Sequence, residues 1–299
     1  MPHPRLVCLG NLTIDDVVLP DGREVPGCIG GDALYAALAA RLWEPSTEMV
    51  APVGPDFPGT VLDRINQAGL SSAGLTPRTV PTLHNRVAYE TDGNRTWTLF
   101  STEDDFHALS PRPDDIPPAY RVAEAFLVLA MTLEAQEALV GDLKHDTNAM
   151  IALDPQEDYI AGNEARLRRM IGETDIFMPS AEEARRLLGH ADWSAAARTF
   201  ASWGPNIVVL KLGHDGCLVH ERDGDRMIQV PVLRADVKDT TGAGDCFCGA
   251  FMAALLQEGA DLCTAARAGT VAASFAIGGY GVEPMFSVSP REALRRMRA

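Results

Sequence analysis

The run from Asp239 to Phe251, D-T-T-G-A-G-D-C-F-C-G-A-F, sets a glycine turn directly in front of a carboxylate. Gly242-Ala243-Gly244 leads into Asp245, and Phe247, Ala250, Phe251, Ala254 and Leu255 follow at helical spacing. A glycine turn feeding a helix aims unpaired backbone N–H groups and the positive end of the helix dipole at one spot. Such a spot suits a phosphate or a developing negative charge. An aspartate held there is placed to take the proton of a hydroxyl that attacks a bound phosphoryl group. The same residues also describe an ordinary loop–helix junction with Asp245 as a first-turn acid.

Other polar groups stand where buried strands end. Residues 5–10, R-L-V-C-L-G, read as a buried first strand, and Asp15 follows it, where open α/β sheets bind ligands; a solvated turn aspartate has the same spacing. Gly30-Gly31-Asp32 opens an alanine-rich helix with Leu34, Leu38 and Leu42 on one face, and a glycine pair lets a ligand approach the backbone closely. Met131-Thr132-Leu133-Glu134 and Asp154-Pro155 end two further strands, Glu134 reading equally as a helix acid. Ser180-Ala181-Glu182-Glu183 is a sound helix cap whose glutamate can also face a hydrated metal. Lys211-Leu212-Gly213-His214-Asp215-Gly216 offers backbone amides to a phosphate or adenine, with Lys211 either adding charge there or solvated.

The elements that must position these groups follow from pattern. From about residue 121, short apolar strands (125–130, 149–154, 175–179, 206–212) alternate with helices at 134–145, 163–172 and 181–189. That pattern predicts a mostly parallel sheet covered on both faces. Residues 83–103 alternate around Asp92-Gly93-Asn94, a hairpin signal, and with residues 12–27 they predict a small β-layer apart from the main sheet. No fixed repeat and no low-complexity linker divides the chain, so 1–299 reads as a single domain.

The chain has 299 residues, 46% of them apolar, and a formal net charge of −15. That charge argues against sequence-independent binding to nucleic acid or anionic membranes. The six cysteines, at 8, 28, 217, 246, 248 and 263, lack paired zinc or redox spacing. With no secretory signal at the N-terminus, they predict reduced thiols in a cytoplasmic protein. No Walker A loop, H-E-x-x-H, G-x-S-x-G or protein-kinase catalytic-loop string occurs. The dinucleotide fingerprint fails because Phe247 stands at its third glycine, which disfavours an NAD-dependent oxidoreductase.

In this order, an N-terminal acid, a Gly-Gly helix, a hairpin layer, S-x-x-E, G-x-x-G and the run 239–251 together resemble the ribokinase-like (PfkB) carbohydrate kinases. The last run carries the most specificity. The resemblance implies a three-layer α/β/α fold with a small β-sheet lid, from about 12–27 and 83–103. It implies ATP-dependent phosphoryl transfer to a hydroxyl of a small sugar or sugar derivative, with Asp245 as base and the amides of Gly242, Ala243 and Gly244 as anion hole. Sugar contacts fall on Asp15, Gly30, Gly31, Glu134 and Tyr35, the last standing where the family usually has asparagine. Nucleotide contacts fall on Ser180 (asparagine in the family pattern), Lys211, Gly213, Gly216 and Gly278, which lies in the region that walls the adenine. Glu183 takes the position that organises Mg2+, through water, and Asp239 and Thr241 take positions where members often hold a monovalent cation, K+. In some members the lid is also a homodimer contact. Two rivals stay open: a nucleoside kinase, which needs an aromatic clamp from Tyr35, Trp97 or Phe100, and a non-catalytic sugar- or nucleotide-binding protein on the same scaffold.

Overall fold

Leu6–Leu9 is buried at every residue, which a strand sustains only when both faces of its sheet are covered. A computed structural model describes residues 3–90 and 95–298 and provides that cover. Its strands are β1 (Leu6–Leu9), β2 (Thr13–Val18), β3 (Glu24–Gly30), β4 (Thr47–Val53), β5 (Leu75–Pro77), β6 (Leu83–Tyr89), β7 (Arg95–Leu99), β8 (Ala125–Val128), β9 (Met150–Leu153), β10 (Ile176–Phe177), β11 (Ile207–Lys211), β12 (Cys217–Glu221) and β13 (Arg226–Val230). The main sheet runs β13-β12-β11-β10-β9-β8-β1-β4-β5. From β11 to β5 every pairing is parallel, and β12 and β13 add an antiparallel edge. The mostly parallel α/β expectation is met.

Along β1, Leu6 and Cys8 face one apolar core while Val7 and Leu9 face the other. The chain leaves β1 toward β4 on one side and returns as β8 on the other. Strand order therefore reverses between β1 and β8, and such a reversal opens a crevice beyond the strands' C-terminal ends. The second sheet, β3-β2-β6-β7, arises from the expected segments. β6 and β7 pair antiparallel as the hairpin signal requires, while its tip, Asp92-Gly93-Asn94, lies outside the described residues. Among the described residues no helix is long and apolar enough to cross a membrane.

Two helices, Asp32–Ala40 and Ala243–Leu255, bring their N-termini to the crevice. They touch backbone to backbone: a methyl group at Gly249 would lie 2.1 Å from the Ala36 carbonyl oxygen. The helix Leu262–Ala276 covers the second from outside, with Gly269 against the Phe247 ring. All the residues from Ala33 to Ala40 are buried, since sheet and helix enclose that segment. Alanine suits such a site because a larger side chain would force the layers apart.

This contact yields a first expectation. Gly249→Ala forces the helices apart and costs at least about 1–3 kcal/mol of stability, the scale of core overpacking. Urea denaturation of the purified variant measures it; an unchanged midpoint would mean the helices do not bear on one another there.

Candidate active site

The turn before the helix Ala243–Leu255 is built by conformation. Gly242 caps the helix in the left-handed region (φ 75°) and brings no capping side chain. A residue with a Cβ at 242 would be strained there and would also strike the Tyr35 ring at 2.4 Å. Among the described residues no protein acceptor takes the N–H of Gly242 or Gly244, whereas that of Ala243 donates to the Thr240 carbonyl at 3.3 Å. The expected three-amide cradle is thus two open amides and one tied back. Asp245, third in the helix, is half-buried.

Behind the turn lies a buried charge cluster. Lys211 ends β11, and its Nζ donates to Asp154 Oδ2 at 2.5 Å, the Asp154 side chain being buried and that of Lys211 mostly so. The same ammonium lies 3.6 Å from where a Cβ of Gly244 would stand. Burial alone would lower Lys211, but attraction to Asp154, with Cys248 and Glu183 adding to it, holds it above its ordinary value. It is a fixed positive charge at the turn, not a solvated lysine. Ser180 and Glu183 form the capping box reciprocally, Glu183 N–H donating to Ser180 Oγ at 3.2 Å and Ser180 N–H to Glu183 Oε2 at 2.6 Å. Burial and the charge of Asp154 push the Glu183 carboxyl up, against the pull of Lys211. Asp154 Oδ1 is buried without a partner.

On the other side, the second sheet carries Asp15 to the crevice. Asp15 lies inside β2, not in a loop after β1, and is 3% exposed. Asn85 Nδ2 donates to it at 2.8 Å and Thr13 Oγ1 at 3.0 Å. Gly30 leaves the room, because a Cβ there would fall 2.4 Å from Asp15 Oδ2. Burial raises Asp15 to about 6 despite those two hydrogen bonds. Gly31 caps the helix Asp32–Ala40. Asp32 is half-buried and accepts the amides of Asn11 (2.7 Å) and Ala33 (3.1 Å). Burial, then the nearby charge of Asp245, pushes its carboxyl well above the usual range.

Tyr35 departs from its expected role. It is 1% exposed, its ring lies under Gly242, and its hydroxyl is buried without a partner. The fourth residue of that helix points at the neighbouring helix, so Tyr35 is a floor for the turn and not a wall of an open pocket. Glu134 also departs: it is exposed and pairs with Arg166 at 3.1 Å, apart from this cluster. Asp239 is buried and accepts the Thr241 amide at 2.7 Å and the Tyr89 hydroxyl on the same oxygen. Gly213 is exposed on the turn after Lys211, Gly216 packs its α-carbon against the Val230 carbonyl, and Gly278 is exposed after the helix Leu262–Ala276.

The sequence reading assigned no role to Asp154, Asp32, Asn85 or Tyr89. Asp154 carried a signal as the acid ending a buried strand, and Asp32 as the acid after a glycine pair. Asn85 and Tyr89 meet their partners 70 and 150 residues away in sequence, so no local pattern marks them.

With this geometry in place, comparison with known proteins is informative. Residues 5–287 match the model of the pfkB family carbohydrate kinases. A cytidine kinase of Thermococcus kodakarensis is 29% identical over 250 residues, covering 83% of this chain and 87% of the relative. A ribokinase of Lactococcus lactis is 27% identical over 278 residues, covering 88% and 83%. The structure of Burkholderia thailandensis nucleoside kinase in complex with inosine superposes with a TM-score of 0.78 at 19% identity, covering 98% and 96%.

Two expectations come from the site. Asp15 binds its proton at about 6 when folded and near 4 when unfolded. The folded state therefore holds more protons between those values, and Asp15 costs stability as pH rises through that window. The melting temperature of Asp15→Asn relative to wild type should rise from pH 5 to pH 8; a flat difference overturns the assignment. Lys211→Met strands Asp154 and Glu183 and should cost about 3–5 kcal/mol. Adding Asp154→Asn should return much of that stability in a denaturation series.

Proposed function

The chain belongs to the pfkB family of carbohydrate kinases, and on that premise we propose that it transfers the terminal phosphoryl group of ATP to a hydroxyl of a small sugar or sugar derivative. The observation that carries the reading is the convergence of two open amides, a buried ammonium and a half-buried carboxylate at one helix start. The names of the relatives, a cytidine kinase and a ribokinase, support a substrate built around a pentose.

In the proposed reaction Asp245 accepts the proton of the acceptor hydroxyl as its oxygen attacks phosphorus. The bond to the bridging oxygen breaks and ADP leaves. The amides of Gly242 and Gly244, with the Lys211 ammonium, stabilise the charge on the phosphoryl oxygens during transfer. These donors are fixed by the fold, so little reorganisation is needed at the moment of reaction. Mg2+ arriving with ATP supplies further neutralisation of the phosphates, and the orphaned Asp154 Oδ1 with Glu183 are the oxygens that fit such an ion across its water. Asp15, braced by Asn85 and Thr13, orients the acceptor by accepting its hydroxyls. The exposed turn Gly213–Gly216 offers backbone to the nucleotide.

The second sheet acts as the cover. Tyr89 donates to Asp239, in the loop that leads into Gly242. Sheet position and turn geometry are thereby coupled, and closure excludes water that would otherwise accept the phosphoryl group.

Asp245→Asn should fold normally and lose at least on the order of 10²-fold in turnover, the scale of general-base assistance. Release of ADP under saturating ATP and a panel of sugars and nucleosides measures it. Near-wild-type turnover would remove Asp245 as the base.

A further inference from the structure

We propose that the acceptor is a nucleoside rather than a free sugar, and that Trp97 is the surface on which its base stacks. This deepens the reading above and rests on Asp15 being the group that holds the acceptor's hydroxyls.

The argument is one of register. Asp15 on β2 stands beside Asn85 on β6, and Asn85 stands opposite Leu99 on β7. In the next row, Val17 stands beside Val87, and Val87 opposite Trp97. Directly paired residues share a face of a sheet, and alternate residues along a strand share it too. Asp15, Asn85, Val87, Leu99 and Trp97 therefore lie on one face, the one turned toward the crevice. On β2 and β6 this face is covered: Asp15, Val17, Asn85 and Val87 are at most 3% exposed. On β7, the outer strand, it is bare, with Leu99 at 37% and Trp97 at 46%.

The same register eliminates the other aromatic candidates. Phe100 follows Leu99 and falls on the opposite face, where its ring meets His84 edge-on at 5.7 Å. Tyr35 is sealed beneath Gly242. Trp97 alone of the three presents an open ring beside the acceptor site.

Position then selects the occupant. Strands lie about 4.8 Å apart and rise about 3.4 Å per residue, so Trp97 stands on the order of 12 Å from Asp15 along the sheet. A furanose gripped at Asp15 ends short of that; a base attached to it extends toward the indole. An aromatic platform suits a base because every base offers a π-face, and such stacking tolerates differences among bases. A bare apolar edge on the same sheet face as the carboxylate proposed to take hydroxyls thus suits a molecule polar at one end and flat at the other.

The test uses the full-length protein as wild type, Trp97→Ala and Trp97→Phe, with ATP and cytidine, inosine, adenosine, ribose or deoxyribose. ADP release gives kcat/KM for each, and calorimetry without ATP gives binding. The expected result is preference for nucleosides in the wild type. In Trp97→Ala the nucleoside-to-ribose ratio of kcat/KM should fall on the order of 10-fold, carried by KM, and Trp97→Phe should restore most of it. Preference for a free sugar in the wild type overturns the proposal while leaving the kinase reading intact, as does a ratio unmoved by Trp97→Ala. A dimer that Trp97→Ala dissociates without moving that ratio assigns the surface to a second copy and likewise overturns it. Nucleoside binding that depends on Trp97 but yields no ADP sustains the platform and sinks the kinase reading instead.

Discussion

The contact between Gly249 and the Ala36 carbonyl fixes the distance between two helices whose N-termini make the site. Everything chemical at the crevice depends on that distance. It places Tyr35 under Gly242, which leaves the turn one conformation to adopt. It also sets Asp32 and Asp245 close enough to feel one another's charge. A side chain at 249, or a bulkier residue among Ala33–Ala40, would shift the Gly242–Asp245 segment away from Asp32 and Tyr35 on the facing helix. The alanine and glycine content of these helices is therefore a requirement of position as much as of packing density.

Against that rigid half, charge compensation organises the rest. The chain has a formal charge of −15, and the crevice gathers three buried acids, Asp15, Asp154 and Asp239, with the half-buried Asp32 at a helix start. Among the described residues Lys211, paired with Asp154, brings a positive charge to this group of acids. Its partner Asp154 holds the ammonium charged at a depth where burial opposes it. A buried pair of this kind contributes little net stability. Its effect is to fix a positive charge beside Gly244, where an exposed lysine would wander.

Local patterns carried the fold well, and the site in part. Apolar runs, the turn signals and the alternating residues near 83–103 marked both sheets, because burial and pleat are written in neighbouring residues. Gly242, Gly244, Asp245, Asp15 and Lys211, the residues proposed for the site, are marked in the sequence by glycine turns and strand ends, which are local too. Tyr35 was misjudged since its role depends on which helix its own helix faces, and only the 242–249 segment decides that. The partners of Lys211 and Asp15 come from 57 and 70 residues away, and neither separation has a period. Glu134 failed for the converse reason: the end of β8 is near the crevice, but the helix beginning there lies on the sheet's other face, and Arg166 offers the nearer partner.

The places where the fold is least satisfied gather where the reaction is proposed. Asp15 is buried with a raised carboxyl, and the Tyr35 hydroxyl, Asn11 Oδ1 and Asp154 Oδ1 are buried without partners. Four further buried atoms of this kind stand at Trp43, His84, Tyr120 and His220 among the described residues, so such atoms are not confined to the crevice. Each unsatisfied atom costs of order 1–3 kcal/mol that a partner would return. In the proposed reaction a hydroxylated acceptor would meet Asp15, and a hydrated cation Asp154. The same groups that weaken the empty protein are those from which binding gains most, which ties the stability of the site to its occupancy.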